Sequence, residues 1–248
     1  MKIWLTLIIL ASSSSTLFSQ NDKLKTSMGE LTIQPIVHGT VAFQIGNFNI
    51  FVDPYGGADK FANLQDPDLI LITDIHGDHL NQKTLDGLNL TNVSFIVPSA
   101  VAEKLPDSYA DKIIVIGNGE DKQWNDLRIE AIPMYNLPED ETSRHPKGRG
   151  NGYIITFGDT EVYLSGDTED IPEMRALENI DIAFVCMNLP YTMDVDQAAA
   201  AVVEFKPSIV YPYHYRGKGG LSDVEQFKSL VNAEAPSVDV RLRNWYGE

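Results

Sequence analysis

The 248-residue chain holds one cysteine, five histidines, and 19 basic residues against 35 acidic ones. A single thiol, Cys186, excludes an intrachain disulfide. It lies in the apolar run Ile182-Ala183-Phe184-Val185-Cys186, which predicts a small buried core residue and not a reactive thiol. The shortage of cations leaves a formal net charge of -16. A surface that acidic repels phosphate backbones and anionic lipid, so nucleic acid is disfavoured as a partner. It still admits a small anionic substrate held by metal and a few local cations. After the N-terminal leader no run is apolar and long enough to cross a bilayer. No short-period repeat and no proline-rich linker divides the chain. With 43% hydrophobic and 22% charged residues, a sizeable core is available without covalent staples.

The first residues have the plan of a targeting signal. Lys2 supplies a short positive region, residues 3–11 an apolar region, and residues 12–15 a serine run. Leu17-Phe18-Ser19 then precedes Gln20, with a small residue at the expected cleavage point. These features predict a signal peptide over 1–19 and a mature chain over 20–248. They imply a periplasmic or secreted protein with no stable membrane insertion after cleavage. Cys186 lies far from this point, so no lipid-anchor cysteine follows it.

Apolar runs bounded by turn residues predict strands over 31–37, 41–45, 50–52, 69–72, 94–97, 113–116, 153–157, 162–165, 182–186, 209–212 and 238–242. A further strand pair is expected around Asn125-Asp126. Helices are predicted over 81–88, over 99–105 with Ser99 as N-cap, and over 194–205. A last helix over 222–231 would start with a Ser222/Glu225 capping box. Residues 21–29 read as a polar linker, and 135–152 as a long polar loop carrying His145. Short hairpin connections argue against one all-parallel sheet. Strand-rich halves, each followed by helices, predict two sheets inside and helices outside in one domain.

The chain is organised around Thr73-Asp74-Ile75-His76-Gly77-Asp78-His79, just past the apolar run 69–72. Two carboxylates and two imidazoles within six residues offer hard oxygen and borderline nitrogen donors. That mixture suits Zn, Mn or Fe better than Ca or Mg. His38, His145 and His214 also follow or interrupt strand-like runs, and no histidine falls on a predicted helix. Asp53, Asp78 and Asp167 stand past apolar strands as well. Loops converge at strand ends while the sheet holds them rigid, so one site fed by several strand ends is expected.

These residues carry a resemblance. Asp74-Ile75-His76-Gly77-Asp78-His79 resembles the HxHxDH signature of the metallo-β-lactamase superfamily, with Asp74 in the first histidine position. Gly166-Asp167-Thr168 resembles its bridging-aspartate motif, and His145-Pro146-Lys147-Gly148 with Gly150-Asn151-Gly152-Tyr153 its middle histidine motif. Tyr213-His214 resembles the final histidine, and His38-Gly39 through Asp53-Pro54 the N-terminal hairpin. The match spans nearly the whole mature chain and looks most like the branch of L-ascorbate-6-phosphate lactonase-like proteins.

The resemblance implies an α+β fold, an αββα four-layer sandwich of two mixed sheets flanked by helices. It also implies two divalent metal ions (Zn, Mn or Fe). Asp74, His76 and His145 would bind the first, Asp78, His79 and His214 the second, with Asp167 bridging. Asp78 and His38 are the candidate catalytic side chains, His38 by lining the pocket. The implied function is an exported metal-dependent hydrolase that turns a metal-bound hydroxide on a small ester, lactone or phosphoester. β-Lactam hydrolysis is disfavoured, because the well-known zinc β-lactamases generally lack a bridging aspartate. The alternative is a catalytically weak metal- or ligand-binding protein on the same fold. Asp53 is expected to hold the ligand turn through backbone N–H groups. Lys147, Arg149 and Arg216 are candidate anion holders, and Tyr135, Asn136, Tyr191 and Tyr215 candidate donors to substrate.

Overall fold

The run Leu69-Ile70-Leu71-Ile72 shows how the layers form. In a computed structural model, which describes residues 21–247, Leu69 and Leu71 join the core between the sheets. Ile70 and Ile72 point the other way, into a second cluster with Leu85 and Val101 from flanking helices. The period of two along a strand makes this division automatic. The signal peptide expected over 1–19 lies outside the described residues.

The first half of the chain builds a seven-stranded sheet. Its strands are β1 (Asp22–Thr26), β2 (Gly29–Val37), β3 (Thr40–Ile45), β4 (Phe48–Val52), β5 (Leu69–Leu71), β6 (Ser94–Val97) and β7 (Ile113–Val115). Antiparallel hairpins join β1 to β4, and parallel pairing continues from β4 to β7. The second half repeats that plan with β8 (Asp121–Trp124), β9 (Leu127–Met134), β10 (Gly150–Phe157), β11 (Thr160–Leu164), β12 (Ile182–Cys186) and β13 (Ile209–Tyr213). After a small hairpin, β14 (Arg216–Gly217) and β15 (Gly220–Leu221), comes β16 (Asp239–Val240). Strands β8 to β11 are antiparallel, and β11, β12, β13 and β16 are parallel. The two halves share one connection pattern although the sequence shows no short-period repeat.

Parallel neighbours need crossovers, and these carry the helices. α1 (Gln82–Asp86) and α2 (Ser99–Ala102) cover the first sheet. α3 (Pro172–Arg175), α4 (Val195–Phe205) and α5 (Val224–Glu234) accompany the second sheet. The helical face predicted from Ala198, Ala201, Val202 and Phe205 is buried. Asp194 caps α4 in a reciprocal box with Gln197. Among the described residues no helix is long and apolar enough to cross a membrane. The αββα sandwich of two mixed sheets expected from the sequence is the observed architecture.

Four local expectations are corrected. Residues 21–29 are not a linker: β1 pairs along β2, and its charged pattern is that of an edge strand. α2 has Pro98 at its N-cap, no side-chain cap from Ser99, and stops at Ala102. α5 is capped by Asp223, whose Oδ1 accepts from Gln226 N at 2.9 Å. Ser222 instead donates to the Met187 carbonyl. The polar loop ends at Arg149, because Gly150 to Phe157 is strand.

Cys186 is fully buried on β12, and burial pushes its thiol up to about 11. At pH 8 the folded protein should therefore resist alkylation by iodoacetamide for hours, while the urea-unfolded chain reacts in full. Stoichiometric labelling of the native protein would contradict this placement.

Candidate metal centre

The site begins with the strand ends. His38 after β2, Asp53 after β4 and His214 after β13 all have left-handed backbone, with φ of +57°, +46° and +46°. Aspartate and histidine tolerate that conformation better than branched residues do. It turns each side chain out of the strand and toward a common point. Gly39 lets two of these turns meet: a Cβ there would come within 2.7 Å of the His214 ring.

Asp53 is the foundation. Its Oδ1 accepts from Thr73 N at 2.8 Å, and its Oδ2 accepts from Thr73 Oγ1 at 2.6 Å. The same Oδ2 lies 2.7 Å from His79 Nδ1. A carboxylate beside Nδ1 holds a proton there, so Nε2 is the nitrogen that would ligate an ion after giving up its own proton. Burial depresses His79, but the Asp167 and Asp53 carboxylates outweigh it and hold the imidazole well above its ordinary value. His145 is oriented in the same manner. Asn136 Oδ1 accepts from His145 N at 2.9 Å and lies 3.1 Å from its Nδ1.

Asp167 is the centre. Its Oδ2 is 3.2 Å from His145 Nε2 and 3.3 Å from His79 Nε2, and its Oδ1 is 3.4 Å from His214 Nε2. Burial alone would raise this carboxyl, and the His214 and His79 charges bring it well below the usual range. Asp78 Oδ2 lies 3.4 Å from His214 Nε2 and 3.2 Å from His38 Nε2. Burial opposes ionisation of Asp78, and the neighbouring His214 and His38 imidazoles override it and hold its carboxyl below the usual range. The His38 and His214 rings meet at a tilt of 39° with centres 3.9 Å apart. Its Nδ1 meets the Tyr246 hydroxyl at 2.8 Å. Burial lowers the His38 imidazole.

Asp74 and His76 complete the cluster. Asp74 Oδ2 is 2.5 Å from His76 Nδ1, yet that nitrogen has no hydrogen-bond alignment. The potential ligand atoms of Asp74, His76 and His145 lie within 4.8 Å of one another, as do those of His79, Asp167 and His214 and those of His38, Asp78 and His214.

Whether these residues fit a metal is tested by what their atoms lack. His79 Nε2, His145 Nε2, His214 Nε2, His76 Nδ1 and Asp167 Oδ1 are buried with no hydrogen-bond partner. A buried polar atom left unpaired costs roughly 1–3 kcal/mol, so several aimed at one point demand a common partner. Imidazole nitrogens around a carboxylate oxygen suit a divalent zinc, manganese or iron ion. The residues fit.

The structure thus brings together Asp74, His76, Asp78, His79, His145, Asp167, His214 and His38. Asp53 holds the ligand turn as expected. The candidate substrate groups are mostly engaged elsewhere. Tyr135 donates to Glu173 at 2.8 Å, Tyr215 to the Arg243 carbonyl, and Asn136 holds His145. Lys147 pairs with Glu139 and Glu173, and Arg149 with Asp74. Tyr191 lies under the Arg144 guanidinium. Sequence reasoning missed Tyr246 and the supporting roles of Thr73, which donates to Asp53, and of Asn136, which orients His145. Tyr246 had a faint signal, an aromatic pair with Trp245 in a tail of polar residues.

Comparison with known proteins identifies the family and the fold. The sequence model of the β-lactamase superfamily domain matches residues 32–214. A UPF0173 metal-dependent hydrolase of Thermoplasma acidophilum is 31% identical over 207 residues, 79% of this chain and 89% of the relative. A crystal structure from Parabacteroides distasonis, assigned as a metal-dependent hydrolase, superposes with a TM-score of 0.81 at 40% identity. It covers 91% of this chain and 99% of that one. The metallo-β-lactamase fold protein YhfI of Bacillus subtilis shares the fold, with a TM-score of 0.65 at 14% identity over 84% of this chain and 89% of that one.

Proposed function

The chain belongs to the β-lactamase superfamily domain family, and from that premise we propose an exported metal-dependent hydrolase acting on a small ester, lactone or phosphoester. One observation carries the reading: three buried imidazole nitrogens without hydrogen-bond partners converge on the Asp167 carboxylate. The relatives named metal-dependent hydrolases support it.

Asp74, His76 and His145 would hold one ion, Asp78, His79 and His214 a second, with Asp167 between them. Bound divalent ions lower the pKa of a coordinated water and polarise a carbonyl or phosphoryl oxygen. The chain's own residues supply the rest. Asp53 and Asn136 fix the rings of His79 and His145. The Asp78 side chain is 32% exposed against 4% for Asp167. Asp78 is therefore the acid that meets substrate, placed to orient a nucleophile and take its proton. His38, braced by Tyr246, holds Asp78 in that position. The acidic surface favours a small-molecule substrate over nucleic acid. The pattern of residues 1–19, a short positive region followed by an apolar run and a serine run, supports a site of action in the periplasm or outside the cell.

The mature protein should bind about two ions per chain after reconstitution with Mn, Fe(II) or Zn. It should turn over at least one member of a lactone, phosphodiester and phosphomonoester panel. His79→Ala should lose a bound ion and drop turnover by roughly 100-fold or more. Less than one ion per chain would overturn the binuclear reading. Metal retained without turnover would favour the binding-protein alternative. An uncleaved leader on a cytoplasmic chain, seen by fractionation and N-terminal sequencing, would overturn export.

A further inference from the structure

Asp74 occupies a position where the resembling family has histidine, so it brings an extra negative charge to a buried place. The structure shows what meets that charge. Arg149 Nε donates to Asp74 Oδ1 at 3.1 Å, and Arg149 Nη2 donates to Asp74 Oδ2 at 3.1 Å. The Asp74 side chain is fully buried, and that of Arg149 is 20% exposed. Arg149 Nη2 also donates to the Arg144 carbonyl at 2.6 Å, and Arg149 forms no ion pair with another acid among the described residues.

The backbone enforces this pairing. Asn151 N donates to the Thr73 carbonyl at 2.9 Å. Gly150 passes so close to that carbonyl that a Cβ would come within 2.7 Å. The start of β10 is thereby pinned beside the Thr73-Asp74 peptide, and Arg149, one residue earlier, is delivered opposite the carboxylate. The two-pronged geometry uses one lone pair on each carboxylate oxygen, and each oxygen has two. Oδ2, 2.5 Å from His76 Nδ1, keeps a lone pair for an ion.

We infer that Arg149 is a built-in charge compensator for the Asp74/His76/His145 position, so that an aspartate presents an oxygen donor while the position keeps the charge balance of three imidazoles. The inference rests on the reading that this cluster holds an ion. Its consequence is specific. The guanidinium repels the ion that the carboxylate attracts, so Arg149 sets how tightly that ion is held. It also limits the preference for hard ions that an unpaired carboxylate would create.

The test is chelator competition with Mn(II) and with Zn(II) on the full mature protein, with thermal melts in EDTA as a check on folding. Asp74→Asn should weaken one ion and leave the other unchanged. Arg149→Gln should tighten that same ion by about tenfold or more, Mn(II) more than Zn(II). Arg149→Lys keeps the charge but not the fork, and should stay within about threefold of the native protein. Should Arg149→Gln leave a buried charge that prevents folding, D74H and the double variant D74H/R149Q carry the same comparison. The double variant must then bind about tenfold or more tightly than D74H.

An unchanged or weaker ion in Arg149→Gln, with Asp74→Asn still weakened, overturns charge compensation and leaves Arg149 a mere prop. If Asp74→Asn and Arg149→Gln both match the native protein while His79→Ala loses metal, Asp74 is no donor. The inference then falls and the proposed metallohydrolase stands. If the native protein and His79→Ala bind metal equally, the reading of the site itself fails and the inference with it.

Discussion

Asp53→Asn should reduce metal affinity by roughly 10–100-fold while leaving the backbone turn intact. Asparagine tolerates the left-handed φ of +46° at this position, so the substitution isolates the chemistry of one atom. Oδ1 of the new amide can still accept from Thr73 N. Its NH2 group, however, faces two donors, Thr73 Oγ1 and His79 Nδ1, where the native Oδ2 accepts from both. The cheapest relief is for His79 to give up its Nδ1 proton and carry one on Nε2. That proton then points at the place where the unpaired nitrogens converge, and a protonated nitrogen is no ligand. Asp53→Ala is harsher. It strands these buried donors, His79 included, with no carboxylate, and should cost about 3–5 kcal/mol of stability. The measurements are chelator competition for affinity and urea unfolding in EDTA for stability. Native affinity in Asp53→Asn would show that something other than Asp53 sets the His79 tautomer.

The effect of Asp53 illustrates which parts of the site were legible in the sequence. Ligand types are written in the residues themselves. Asp74, His76, Asp78 and His79 are adjacent in the chain, so their chemistry needs no fold to be noticed. His145 and Asp167 follow from motifs that end or begin strands. Strand spans 94–97 and 182–186 coincide with β6 and β12 because their runs are apolar on both faces and bounded by turns. The charged edge strand β1 has the sequence of a linker, because only Leu24 in Asp22–Thr26 is apolar. Orienting partners are another matter. Asn136 lies nine residues before His145 and Arg149 lies 75 after Asp74, and nothing local in either residue tells which group it holds. One physical rule could have found Arg149: a buried carboxylate needs a partner charge, and few cations lie near the ligand loops of this chain.

The same limit applies to the C-terminal tail, where the second large effect is expected. Trp245→Ala should lower stability by about 3–5 kcal/mol. The indole is 1% exposed and packs edge-on against Tyr213 and Phe184, with ring centres 5.9 and 6.3 Å away. Those partners lie on β13 and β12, the parallel strands that end at the site. The cavity would therefore open beneath His214. The tail also fixes His38 twice: the Trp245 carbonyl accepts from His38 N at 3.3 Å, and Tyr246 meets its Nδ1. Loosening the tail should free His38 and through it Asp78, so metal affinity should fall with stability. Trp245→Phe separates the contributions. The indole Nε1 is buried with no hydrogen-bond partner, so the native residue already carries a desolvation penalty of roughly 1–3 kcal/mol. Phenylalanine gives up part of the packing but removes that stranded donor, and the two changes oppose each other. Trp245→Phe should thus cost less than about 1.5 kcal/mol by urea unfolding, within the range for well-tolerated hydrophobic exchanges. A loss as large as that of Trp245→Ala would mean that the indole N–H contributes to the fold and that the packing account of this tail is wrong.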